Sequence, residues 1–243
     1  MASYKTEAII IGRLNLGESD RILTLFSLEH GKIRAVCKGA RKPKSKFGGH
    51  IELFNIADFI ITSGKSLDIV SDVSMKNNCF SENPDIEKVK TAYYFGEIIN
   101  KLLPDNAKNE DIYRDLHYCL LEMYHLDTPL LQLIFVARVL KSLGIYPELS
   151  TCIKCDGKPG DNNIFFTRSG GGIVGESCYT HFDDAIRVDK NTIKLWRFVA
   201  EQPLTDLHRV KASRETIQNA SELANSYIHC VTQIDYRSLR VLS

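Results

Sequence analysis

The chain has 243 residues, 44% of them hydrophobic and 25% charged, so it can bury a core and is not a disordered tail. Its net charge of +1 conceals an uneven spread: residues 1–79 carry twelve Lys/Arg against eight Asp/Glu, residues 80–150 seven against eleven, and residues 151–243 twelve against eleven. A basic head points to an anionic partner. The polar first residues exclude a signal stretch, and no run nears the ~18 apolar residues of a membrane span, so with seven cysteines we expect a reduced, cytoplasmic chain.

Glu7–Arg13 is a β-branched apolar run that predicts a buried strand. Asn15–Asp20 has turn chemistry, and Arg21–Ser27 alternates as a second strand. Gly31 supplies the positive φ of a tight turn into a third strand, Ile33–Lys38. Gly39–Gly49 reads as a loop, followed by strands at Ile51–Ile61 and Ser66–Ser74. Five short strands in this space predict a small closed or nearly closed antiparallel barrel over residues 1–79. After Pro84 the period changes to helical. Helices are expected over Asp85–Leu103, capped by Asn78 or Asn83, and over Glu110–His125. Pro129–Leu143, apolar on most sides, is the expected central helix, stopped by Gly144. Residues 151–182 are Gly-rich, poor in apolar periodicity and bounded by cysteines. Asp189–Ala200 and Ser213–Ile228 are the last two helices. The fold class is therefore α+β and multidomain: a barrel at 1–79 and a helical domain at 80–243 carrying the insert at 151–182.

Residues 31–50 hold seven cations (Lys32, Arg34, Lys38, Arg41, Lys42, Lys44 and Lys46) and no acid. Like charges so close repel one another, and a phosphodiester backbone would relieve them by releasing its condensed counterions. On a barrel face this suggests a groove for single strands, with Phe47 or Phe54 as the stacking ring. A solvated loop without a partner is the plainer alternative. Arg13 and Arg21 either extend the footprint or pair with Glu18 and Asp20.

Cys152-x-x-Cys155 is followed by Cys178-x-x-His181. Two short chelating steps across a Gly-rich insert have the layout of a tetrahedral, structural Cys₃His zinc site. A metal would also hold together a segment with few apolar side chains, its Gly170–Gly172 run serving as slack. A redox pair or free thiols are the alternatives. A catalytic zinc would need an open position and a base such as Glu176, which four full ligands would deny it. Cys37, Cys79, Cys119 and Cys230 are expected in the core. No phosphate loop, dinucleotide fingerprint, nucleophile elbow or His-x-x-x-His pair is present, so we expect no enzyme and no nucleotide cofactor.

The blocks Glu7–Ile11, Leu16–Phe26 and His30–Ser45 together resemble the N-terminal signature of the bacterial RecO family, sharply over about residues 4–55. The order of helices, Cys-x-x-Cys segment and further helices agrees over the whole chain. The resemblance implies an OB-fold, a helical domain and a zinc-finger-like insert. It also implies a mediator of DNA repair and homologous recombination in the RecF pathway, bacterial and nucleoid-associated. Such a protein binds single- and double-stranded DNA and anneals complementary strands. With RecR it helps load RecA onto strands coated with single-strand-binding protein (SSB). Phosphate contacts then fall on Arg34, Lys38, Arg41, Lys42, Lys44 and Lys46. Zinc-bearing members usually have four cysteines, whereas His181 stands in the fourth place here. The docking site for the acidic SSB tail belongs to the helical part, where Arg138 is a candidate. A zinc-dependent nuclease and an RNA-binding OB protein are the rival readings.

Overall fold

The structure, a computed structural model, describes residues 2–81, 84–160 and 163–238. It divides into two units, one running to Met123 and regaining the chain from Tyr236, the other Tyr124–Asp235.

In the first unit β1 (Ser3–Leu16), β2 (Asp20–Ser27), β3 (Gly31–Cys37), β4 (Ile56–Thr62) and β5 (Asp68–Asn77) close into a barrel of order β1-β2-β3-β5-β4. Alternation places Ile10, Leu23, Leu25, Ile33, Ala35, Phe59 and Ile61 inside, which is what the sequence pattern demands. One pairing departs from the all-antiparallel expectation. β3 and β5 run parallel through Ala35–Asp68 and Val36–Ile69. Five strands in a ring cannot alternate direction at every seam, so one parallel contact is the cost of closure. The fourth strand also begins later than expected. Gly48–Ile51 is a 3₁₀ turn, and the chain then bends back so that Ile51 and Phe54 are buried before Ile56 starts β4.

Helices α1 (Ile86–Leu102) and α2 (Glu110–Leu121) belong to this same unit, although the change from strands to helices falls near residue 80. Asp85, not Asn78, caps α1: its carboxylate accepts the Lys88 N–H at 2.9 Å. Asn83 lies outside the described residues. Asn109 caps α2 in the same way. α2 ends at Leu121 and passes into a 3₁₀ turn at Glu122–Tyr124.

In the second unit α3 (Thr128–Ser142) packs against α4 (Lys190–Glu201) and α5 (Arg214–Thr232). Leu131, Leu133, Ile134, Phe135, Val136 and Ala137 are consecutive or nearly so and fully buried, as a central helix requires. The insert corrects the sequence reading. It contains two strands, β6 (Ile164–Thr167) and β7 (Gly172–Gly175), and β8 (Ile186–Val188) just beyond it completes a sheet of order β7-β6-β8. Its apolar side chains are few but fully used: the buried Phe166 ring meets those of Trp196 and Tyr227 at 5.6 and 5.7 Å between centroids. Nor is the glycine run slack. A Cβ at Gly172 would stand 2.6 Å from the Glu148 carbonyl oxygen, so the backbones touch there. Cys37, Cys79 and Cys119 are buried as expected, whereas Cys230 lies on the outer face of α5 and is exposed.

Asp184 fastens the β6–β7 turn. Its carboxylate accepts from the Thr167 and Ser169 hydroxyls at 2.6 and 2.7 Å and from the Arg168 and Ser169 N–H groups at 2.9 Å. Burial pulls its pKa upward, but these donors win and hold it at about 2, against 3.8 in the free side chain. A folded-state pKa below the unfolded one stabilises above the unfolded value and is lost as pH falls through the folded one. Asp184→Asn should therefore cost about 2 kcal/mol at pH 7 by that linkage. The gap to wild type in urea midpoint should shrink between about pH 4 and pH 2. A gap that does not change with pH would dismiss the carboxylate's role.

Candidate nucleic-acid interface and thiol centre

The basic loop leaves β3 at Cys37 and is held at both ends. Ala40 and Phe47 are buried in the barrel core, so the segment between them is pinned as an exposed arch. Asp20 secures the near end by accepting the Gly39 N–H at 2.8 Å, and the Arg41 N–H donates to the Ser19 carbonyl at 2.9 Å. The Gly39 N–H most of all, then the Ser19 hydroxyl at 2.9 Å and the charges of Lys38 and Lys42, hold the Asp20 carboxyl below its usual range. Within the arch the Lys42 N–H donates to Gly39 O and the Ser45 N–H to Lys42 O, two consecutive turns that fan the side chains outward.

The structure sorts the cations. Arg34, Lys38, Arg41, Lys42 and Lys44 are exposed, and among the described residues none has an ion-pair partner. Arg41 donates to the Gly17 carbonyl at 2.9 Å, which positions its guanidinium without neutralising it. Lys46 is partly engaged, reaching Asp72 at 3.2 Å and the Ser71 carbonyl at 2.7 Å. With both partners over half exposed, that pair is worth about 0–1 kcal/mol and yields readily to a phosphate. Lys32, counted with the cluster in the sequence, points inward: 7% exposed, it donates to the carbonyls of Asn100 and Leu103 and meets Asp105 at 3.2 Å.

Two expectations are corrected here. Arg13 and Arg21 do not pair with Glu18 and Asp20. Both meet Glu52, Arg13 in a short hydrogen bond and Arg21 at 3.9 Å, because the turn before β4 carries that carboxylate to the open end of β1 and β2. Phe47 and Phe54 are 5% and 1% exposed, so neither ring is available for stacking: Phe47 lies in the barrel core, and Phe54 packs against the rings of Phe80 and Tyr93. The apolar side chains that do face solvent beside the loop are Leu14 and Leu16 on the β1–β2 hairpin, at 60% and 41% exposure. Their signal in the sequence is a pair of leucines next to turn residues, beyond the apolar run that opens β1.

In the second unit the Cys152, Cys155 and Cys178 sulfurs lie within 4.8 Å of one another. The N–H groups of Gly175, Lys154 and Cys155 donate to the Cys152 sulfur and, against the upward pull of burial, lower its pKa to about 7. Three soft thiols ringed by backbone donors fit a thiophilic cation such as zinc. His181, expected as the fourth ligand, stands outside the trio. A 3₁₀ turn over Tyr179–His181 folds it back, and its Nδ1 lies 3.1 Å from the Cys178 carbonyl. The three thiols alone do not fill a tetrahedron. Glu176 accepts from the Asn163 amide at 2.6 Å. Arg138 donates to the Gln202 carbonyl at 3.0 Å, tying α3 to the end of α4. No helix among the described residues is long and apolar enough to cross a membrane.

Comparisons with known proteins agree with this layout. The family model "Recombination protein O N terminal" matches residues 1–79, and "Recombination protein O C terminal" matches residues 83–240. The chain is similar to the DNA repair protein RecO of Thermoanaerobacter sp., 29% identical over 98% of this chain and 96% of that protein. It is similar also to the DNA repair protein RecO of Caldanaerobacter subterraneus, 27% identical over 98% and 96%, and to that of Pelotomaculum thermopropionicum, 28% identical over 100% and 94%.

Proposed function

The chain belongs to the RecO family of DNA repair and recombination proteins, and on that premise we propose that it binds single- and double-stranded DNA and anneals complementary strands. One observation carries the reading: five exposed cations, Arg34 and Lys38 on and just after β3 and Arg41, Lys42 and Lys44 on the pinned arch, none with an ion-pair partner among the described residues. Annealing needs no active-site residue. Duplex formation is downhill once strands meet, and a basic surface that screens phosphate repulsion brings them together. Lys46, Arg13 and Arg21 form the rim of the footprint, since each must trade an acidic partner for a phosphate.

We assign the chain, by the same reading, to the bacterial cytoplasm and nucleoid, acting with RecR to load RecA onto SSB-coated strands. The helical unit offers an acidic tail a matching place. A groove of about 550 Å³ between α4 and α5 presents Lys194, Arg209 and Lys211 beside Phe198 and Leu195. The thiol trio holds structural zinc, through Cys152, Cys155 and Cys178; when bound, the ion crosslinks the insert and supplies no reaction. Metal analysis of protein purified under reducing, chelator-free conditions should find about one zinc per chain, and Cys178→Ser should fall well below it. Substoichiometric zinc in the wild type would dismiss the assignment.

The annealing reading is tested with complementary strands coated with SSB. The wild type should speed annealing, and Lys42→Glu with Lys44→Glu should not. No acceleration by the wild type would contradict it, and metal-dependent cleavage of the strands would favour a nuclease instead.

A further inference from the structure

A hollow of about 450 Å³ opens on the outer face of the barrel, beside the basic arch, within the size range of small-ligand pockets. Strand register builds it. Gly12 pairs with Thr24 and Thr24 with Arg34, so these three form one row across β1, β2 and β3. Gly12 leaves the row bare at backbone level. A Cβ there would stand 3.2 Å from the Thr24 Cβ and Oγ1, closing the floor. Two residues on, Leu14 rises as an apolar wall at 60% exposure, an outlay in water that nothing in the first unit's packing recovers. Asn100, at the end of α1, offers a side-chain amide on the opposite side, its nitrogen 3.5 Å from the Ile11 carbonyl. Lys32 beneath is committed to Asp105 and two carbonyls, which balances the one acid on the rim. Arg34 stands at the mouth, exposed and without an acidic partner among the described residues.

An apolar wall, a bare floor, an amide and an unpaired guanidinium match the parts of one nucleotide: ring face, ring edge and phosphate. We infer that this hollow receives a single unstacked base of a DNA strand, with Arg34 on the adjoining phosphate or over the ring. The inference rests on the DNA-binding reading above and refines it. Bases inside a duplex are stacked and enter such a pocket only by flipping, at a cost. The hollow therefore favours single strands, while the arch serves both forms. It also explains how the barrel grips bases although Phe47 and Phe54 are buried: Leu14 and Arg34 take the place of the aromatic platform usual in single-strand binders.

The test compares binding of an oligothymidylate, the same strand with abasic positions, and a duplex of equal length, at one salt concentration. Leu14→Ser should bind the intact strand about fivefold more weakly than wild type, the low end of what one base stacked on an aromatic ring contributes. Its duplex affinity should stay within about twofold. The wild type should bind the abasic strand as weakly as the variant binds the intact one. Asn100→Ala, exposed on α1, should move the same way, and unchanged unfolding midpoints confirm that both variants fold. If Leu14→Ser matches wild type on intact and abasic strands while charge reversal in the arch weakens both DNA forms, the pocket is wrong and the interface stands. An equal loss on strand and duplex also overturns the pocket. If the wild type binds neither DNA, the interface reading fails and the pocket with it.

Discussion

Lys42→Glu with Lys44→Glu is expected to weaken single-strand binding on the order of a hundredfold at low salt. Each reversal removes one neutralised phosphate and sets a like charge against the backbone. Together these changes amount to about 3 kcal/mol at surface dielectric. Neither lysine has an ion-pair partner among the described residues, and only the longer-range attraction of Lys42 for Asp20 is lost, so the unfolding midpoint should move little. The loss should fade as salt rises, because screening removes the same term. Lys46→Glu makes the internal comparison. Lys46 already spends part of its charge on Asp72, so its reversal should cost less than either Lys42→Glu or Lys44→Glu alone. Anisotropy titrations of a labelled strand decide this. Equal losses at all three positions would mean that the ion pair does not shape the footprint. No loss at Lys42 and Lys44 would remove the arch from the interface.

Gly31→Ala is expected to destabilise the first unit strongly through a single added methyl group. Gly31 opens β3 with φ at 68°, a conformation that side chains rarely adopt. Its added Cβ would also stand 2.2 Å from the Ala107 carbonyl oxygen, in the segment between α1 and α2. Backbone must move there, since no flexible side chain can yield. Strain and clash together should cost about 3 kcal/mol or more. Gly17→Ala is the control. Its φ of 58° is similar, but nothing lies within 4 Å of the added methyl, so only the conformational part remains, about 1 kcal/mol. Urea unfolding of the two variants separates these contributions. Equal midpoints would show that the contact with Ala107 has no weight.

Much of this architecture was readable from residues. Two-residue alternation in Arg21–Ser27 and Ile33–Lys38 shows the barrel strands because one face is buried and the other is not. The apolar saturation of Leu130–Leu140 marks a helix covered on every side. The arch is visible because seven cations without one acid need no tertiary knowledge to be counted. What the sequence hides is which of them are free. Lys32 finds Asp105, Arg13 finds Glu52 and Lys46 finds Asp72 across 73, 39 and 26 residues, and only the tertiary fold brings those partners together. Phe47 misleads for a related reason: a lone aromatic in a polar loop looks like a platform but is the loop's anchor. The small sheet of the insert and its flank escapes because β6, β7 and β8 are four, four and three residues long, too short to show a period, and β7 begins and ends on glycine. In the thiol centre, spacing identified the three converging cysteines, while the turn at Tyr179–His181 decided that the histidine faces elsewhere.

The claim that the arch presents unneutralised charge to phosphate is most directly tested by salt. Single-strand affinity should be measured against ionic strength for the wild type and for Lys42→Glu with Lys44→Glu. Five engaged phosphates predict a log–log slope of about −3.5 for the wild type, and about −2 once two are lost. A wild-type slope near zero, or one that the double reversal leaves unchanged, would contradict it.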